Sequence, residues 1–157
     1  MQARCFTVGP LQENCWIVHD DGSRNALVID PGEEADRLTA AVDELGLTVE
    51  AILLTHTHFD HVGAVAPLAR HTGAPVYCPE LEKGVLADIM SFVPWPGFGP
   101  FESYEADELV AGGERLTLAD LVERLPDETV VYPGHMGVTT IGRERADNPF
   151  LRELAQR

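Results

Sequence analysis

A chain of 157 residues is long enough for one domain with a substantial core. Hydrophobic residues make up 45% and charged residues 24%. No apolar run reaches the length of a membrane span, and Met1–Cys5 lacks the apolar core of a signal peptide, so no membrane partner and a cytoplasmic location are expected. A net charge of −15 leaves no basic face for nucleic acid and gives an anionic substrate no help beyond what bound cations would supply.

In chain order, 3–8 and 14–19 read as strands joined at Gly9-Pro10. Residues 26–29 form a third strand, ending in Asp30-Pro31-Gly32. Asp30 is either a turn residue capping the next helix or a buried carboxylate holding a loop by hydrogen bonds. Residues 33–45 read as a helix, with Leu38, Ala41, Val42 and Leu45 on one face and Gly46 as its stop. Residues 50–54 are a buried strand, and 62–71 a helix with Val62, Val65, Ala66 and Ala69 inward. Pro67 requires that helix to begin late. His71 is expected as a last-turn cation or cap, and His19 at the surface. A fifth strand spans 75–78, and 80–90 is weakly helical.

The segment 91–101 holds Pro94, Pro96 and Pro100 with four aromatics, so it is irregular, serving as a crossover or a flap. Its aromatics plug the core or line an acyl pocket. Short strands are predicted over 104–109, 114–118 and 129–132, and helices over 118–125, 141–147 and 149–156. Cys5, Cys15 and Cys78 are expected to be buried free thiols.

The chemistry concentrates between the fourth strand and the helix after it. Thr55-His56-Thr57-His58-Phe59-Asp60-His61 places three of the six histidines and one aspartate within a single turn of loop. Imidazole nitrogens and carboxylate oxygens are ligands for zinc, iron or manganese. His56 and His58, two residues apart in extended chain, point the same way, while Asp60 and His61 point elsewhere. One ion can hardly take all four, so the loop reads as serving two metals. His135, on the Pro133-Gly134-His135 turn after another apolar strand, stands where a further ligand would project.

Val28-Ile29-Asp30-Pro31-Gly32, the motif His56-x-His58-x-Asp60-His61, Tyr132-Pro133-Gly134-His135 and the tail from Thr140 to Leu151 together resemble the metallo-β-lactamase superfamily, and within it short glyoxalase II (hydroxyacylglutathione hydrolase)-like enzymes. The resemblance covers nearly the whole chain. It implies an α+β fold, the αββα sandwich, here with its second sheet truncated, in a single domain over residues 1–157. It implies that His56 and His58 bind a first metal, that Asp60, His61 and His135 bind a second, and that Asp30 holds the loop from behind them. The cofactor implied is zinc, as one or two ions, with iron or manganese able to replace it. Asp60 would also orient the attacking water. The activity implied is hydrolysis of a small acyl-thioester, with no nucleic acid or membrane partner.

The chain departs from the family in one place. Family members complete the first metal set with another histidine and bridge the metals with an aspartate. No histidine lies between His71 and His135, and Asp107 and Asp120 lack the family context. An internal deletion with its junction near residues 117–121 accounts for both losses. Three ligands remain for the second metal and two for the first, which implies one well-held ion and a weak second position. Two other readings follow: a mononuclear-iron persulfide dioxygenase built on the three-ligand set, and a catalytically degenerate protein that binds metal or self-associates into homo-oligomers through a sheet edge.

Overall fold

The computed structural model describes residues 2–111, 127–128 and 130–148. The chain forms two compact units, Met1–Ala111 and Gly112–Arg157. The first is built on a six-stranded mixed sheet in which every strand lies beside its neighbour in sequence, in the order β1-β2-β3-β4-β5-β6. β1 (Gln2–Val8) and β2 (Glu13–His19) form an antiparallel hairpin, and β2 pairs antiparallel with β3 (Asn25–Ile29). From β3 onward the sheet is parallel, through β4 (Thr48–Leu53), β5 (Val76–Pro79) and the short edge strand β6 (Glu108–Val110). Parallel pairing requires crossovers, which helices supply between β3 and β4 and between β4 and β5.

The first crossover is α1 (Ala35–Leu45), which buries Leu38, Ala41 and Val42. It starts two residues later than the apolar spacing predicts, because Glu34 adopts a left-handed backbone (φ 55°). From there one Glu34 carboxylate oxygen accepts from the Gly9 amide at 3.0 Å and the other from Arg37 at 2.9 Å.

The helix predicted over 62–71 is two helices, α2 (Phe59–Val62) and α3 (Val65–Thr72). The break is a contact with the Asp30-Pro31-Gly32 turn. The Ala64 amide donates to the Pro31 carbonyl at 3.0 Å instead of within a helix. Gly63 packs so closely that a Cβ there would collide with the Gly32 carbonyl oxygen and lie 2.7 Å from the Phe101 ring. Pro67 falls in the first turn of α3, where its missing amide costs nothing. Val62, Val65, Ala66 and Ala69 are buried as expected.

Past β5 the weakly helical stretch resolves into a 3₁₀ turn over Glu80–Glu82, the single-turn helix α4 (Lys83–Leu86) and a second 3₁₀ turn over Ile89–Phe92. The strand predicted over 104–109 shrinks to β6, since Tyr104 donates its amide to the Leu86 carbonyl and Asp107 accepts from the Val76 amide. His71 is tied to Asp43 on α1 at 2.9 Å rather than to its own helix end. His19 lies at the end of β2, partly exposed, with Nδ1 3.0 Å from the Asp20 carbonyl. Cys15 and Cys78 are buried free thiols, but Cys5 is exposed, because β1 is an edge strand with most of its residues open to solvent.

The second unit holds a two-stranded antiparallel sheet, β7 (Val130–Val131) with β8 (Thr139–Thr140), and α5 (Ile141–Asp147). Thr140 caps α5 by accepting from the Arg143 amide, and Asp127 is ion-paired to Arg145. The strand predicted over 114–118, the helices over 118–125 and 149–156, and the junction near 117–121 lie outside the described residues.

Candidate metal centre

The ligand-rich loop leaves β4 at Leu54 and enters α2 at Phe59. Its shape is imposed from two sides. From β3, Asp30 is buried with a left-handed backbone (φ 49°), a conformation that Asp tolerates better than most residues. Its carboxylate accepts from the Thr55 amide at 2.8 Å and from the Thr55 hydroxyl at 2.5 Å. Of the two roles open to Asp30, the structure selects the loop-holding carboxylate. From the other side, Glu82 accepts from the Thr57 amide at 2.6 Å and from its hydroxyl at 2.9 Å. Thr55 and Thr57 flank His56, and Thr57 sits between His56 and His58, so the two carboxylates set the directions of both histidines.

The close approach of the Asp30-Pro31-Gly32 turn fixes α2 as well. A Cβ on Gly32 would collide with the Asp60 carbonyl oxygen and lie 2.7 Å from a Glu13 oxygen. Only glycine fits there.

The imidazoles cluster with their nitrogens sorted. His61 is 3% exposed, and its Nδ1 lies 3.2 Å from Asp30 and 3.7 Å from Glu13. A carboxylate facing Nδ1 favours the proton there and turns Nε2, 3.9 Å from Asp60 Oδ2, into an atom able to ligate. His56 Nδ1 lies 3.0 Å from the Thr55 hydroxyl, which leaves its Nε2 free of that contact and 3.1 Å from His58 Nδ1. The rings of His56 and His58 are 4.5 Å apart, and those of His56 and His61 4.1 Å.

These positions fit a metal. Two imidazole nitrogens 3.1 Å apart can both reach one ion at ordinary metal–nitrogen distances near 2 Å. The donors of Asp30, His56 and His61 lie within 4.8 Å of one another. Burial first, then the neighbouring His61 and His58, depress the His56 pKa, against the opposing pull of Asp30 and Glu82. A neutral imidazole is the form that ligates.

Glu13 is the residue the motif does not announce. It is fully buried, and among the described residues neither oxygen has a hydrogen-bond partner of ordinary geometry. Burial, followed by the nearby Asp30 and Asp60, pushes its pKa up to about 9, only partly offset by the Gly32 backbone. Burial thus favours its protonated form. Glu82 was likewise unmarked in the sequence. Neither belongs to a spacing pattern; both reach the loop through tertiary packing. His135, the fifth predicted ligand, lies in the second unit, exposed on the turn after β7.

Beside the loop, within the first unit, a cavity of about 580 Å³ is lined by His56, His58 and Asp60 together with Ile89, Phe92 and Trp95. The aromatic-rich segment splits its roles. Phe98 and Phe101 pack on the core, with ring centroids 5.1 and 5.9 Å from Phe59, while Trp95 and Phe92 line the cavity.

Residues 8–140 match the family model of the metallo-β-lactamase superfamily, a stretch that runs across both units. The chain belongs to this superfamily. Among its relatives, the hydroxyacylglutathione hydrolase GloC of Haemophilus influenzae is 30% identical over 209 residues, covering 96% of this chain and 98% of the relative. Of solved structures, the di-iron-bound form of TTHA1623 is 32% identical with a TM-score of 0.70, covering 94% of this chain and all of that one. The BLEG-1 B3 metallo-β-lactamase is 26% identical with a TM-score of 0.83, covering 96% and 99%. The superfamily fold is thus present, with a mixed main sheet and a second sheet of two strands among the described residues. The alignment with GloC is longer than the 157 residues of this chain, so part of that relative has no counterpart here.

Proposed function

We propose that this superfamily member is a metal-dependent hydrolase of small acyl-thioesters, of the hydroxyacylglutathione hydrolase type. The observation that carries the reading is the sorted donor set: three imidazoles and Asp60 on one loop, with His61 Nδ1 held by Asp30 and the backbone around His56 and His58 held by Asp30 and Glu82. His56 and His58 would hold one ion, and Asp60, His61 and His135 a second. Zinc suits these donors, as do iron and manganese; a relative of this fold is known in a di-iron-bound form. When bound, a divalent metal lowers the pKa of a water and polarises the thioester carbonyl.

The chain's own residues do the rest. Asp30 keeps His61 in one tautomer. Asp60 orients the attacking water and helps take up its proton. The water oxygen adds to the acyl carbon, the C–S bond breaks, and the thiol leaves with a proton, so no electrons change hands. Action on a small molecule in the cytoplasm belongs to this reading; among the described residues no helix is long and apolar enough to cross a membrane.

The missing histidine and bridging aspartate, together with the longer alignment with GloC, support an internal shortening near 117–121 within one superfamily domain, and with it one firmly held ion. Metal analysis by inductively coupled plasma after dialysis, joined to a thioester hydrolysis assay, tests this. One retained equivalent with turnover is expected. Two equivalents would remove the shortage argument, and no turnover with added zinc or manganese would favour the degenerate protein. The iron-dependent dioxygenase is separated by oxygen uptake with glutathione persulfide.

A further inference from the structure

We propose that the cavity beside the ligand loop is an acyl pocket that selects thioesters with an apolar acyl group, such as a medium-chain or arylacetyl group, over the small hydroxyacyl group of the family substrate. The proposal rests on the hydrolase reading and narrows it.

The cavity lining joins two kinds of side chain. His56, His58 and Asp60, beside which a scissile carbonyl belongs, line it together with Thr57 and Glu82. The other lining residues are apolar: Leu11, Phe59, Val85, Ile89, Phe92, Pro94 and Trp95. Phe59 and Ile89 are buried, whereas Phe92 and Trp95 are 56% and 54% exposed. Two large apolar side chains that line the same cavity as the candidate ligands are thus left half in water. Covering them with an apolar substituent removes that surface from water. The Trp95 ring meets Phe59 edge-on at 6.1 Å and lies 6.0 Å from Phe98, so a packed aromatic base supports it.

The charge pattern says which arm of the substrate enters. Among the described residues, no lysine or arginine lines the cavity. Its remaining carboxylate, Glu82, is committed to Thr57. A carrier thiol bearing free carboxylates meets no cationic side chain among these described lining residues, and the chain as a whole carries −15. Biological carrier thiols are polar, so the apolar arm is the acyl group. At about 580 Å³ the cavity lies within the usual range for small-molecule sites and far exceeds the needs of a three-carbon hydroxyacyl group.

The test uses the full chain and one neutral thiol, N-acetylcysteamine. With protein loaded with zinc or manganese, kcat/KM should rise at least about tenfold from the acetyl to the hexanoyl ester, and Trp95→Ala should shrink that ratio. A flat ratio, or faster turnover of S-lactoylglutathione than of the hexanoyl ester, overturns the proposal. A second arm needs no turnover. Ketone analogues with a methylene in place of sulfur are titrated against the tryptophan emission of the metal-free protein. The hexanoyl analogue should bind at least about tenfold more tightly than the acetyl one, and Trp95→Phe should abolish the signal while circular dichroism stays the same. Equal binding of the two analogues overturns the pocket. Tight hexanoyl binding without cleavage of any thioester upholds the pocket and sinks the hydrolase reading instead.

Discussion

The four motif residues and His135 stand in two differently built units. In the first, Asp60 and His61 are buried at 8% and 3% exposure. Their loop is clipped by carboxylates from both directions along the chain, and a glycine turn presses on the backbone of α2. In the second, the candidate ligand His135 is exposed on a turn after a two-residue strand. A ligand held by packing shares its energetics with the fold. An exposed ligand contributes little buried surface to the fold. The two should therefore fail differently when changed.

The largest effect expected is Gly32→Ala. The added methyl group collides with the Asp60 carbonyl, which is backbone and cannot swing aside. The cost should be about 3 kcal/mol or more, read as a fall in Tm by circular dichroism. An unchanged Tm would mean that the turn does not press on the ligand helix.

Next come the histidines compared with each other. His61→Ala should lower metal affinity at least about a hundredfold and also lower the Tm of the metal-free protein, because a buried side chain is lost. His135→Ala should lower metal affinity but move the metal-free Tm by no more than about 0.5 kcal/mol equivalent, as an exposed residue. Chelator competition and thermal unfolding report the two quantities. If His135→Ala keeps its metal and rate, the second unit supplies no ligand.

A smaller effect is expected at Glu82. Removing its carboxylate frees Thr57 and should weaken metal binding about tenfold. Glu82→Gln, which keeps one carbonyl acceptor, should recover part of the loss. Equal damage from both would show that the negative charge, rather than the grip on Thr57, matters.

The smallest effect is expected at Glu34, which ties α1 to the β1–β2 hairpin turn. The Arg37 hydrogen bond, and then the Gly9 amide, hold its carboxyl below the usual carboxylate value. A lowered folded pKa contributes stability at neutral pH that is lost as pH falls through that folded value. The pair is exposed, so the contribution should stay under about 1 kcal/mol. Glu34→Gln should accordingly lower Tm slightly at pH 7 and converge with the parent once the pH has fallen below the lowered carboxyl value; a pH-independent difference would assign the effect to packing.

Much of this arrangement was legible in the residues. The strands β1 to β5 lie within about two residues of their predicted bounds, and β2 to β5 bury residues that their sequences declare apolar. The ligand loop was legible because metal chemistry needs its donors close together, and here the chain places them side by side. What was hidden came from distant packing. The break between α2 and α3 follows from the approach of Gly32 to Gly63, 31 residues of crossover chain apart in origin but adjacent in space. Glu13 and Glu82 look like ordinary turn carboxylates until the sheet brings them to the loop. Cys5 reads as an inward strand residue because a single strand does not reveal that it will be an edge. Trp95 and Phe92 divide from Phe98 and Phe101 for the same reason: composition marks an aromatic segment but not which rings face the cavity.

The two clips on the ligand loop also bear on how the chain reaches its folded state. Thr55 waits for a partner 25 residues earlier and Thr57 for one 25 residues later. The first bond cannot close until the β3–α1–β4 crossover is in place, nor the second until the chain has passed through β5. The β1–β2 hairpin, by contrast, closes across a short turn. Closing the longer loops costs more chain entropy, and parallel pairing is the slower kind. The capacity to capture a metal is therefore expected to arise late in folding, after the hairpin and with the completion of the parallel half of the sheet.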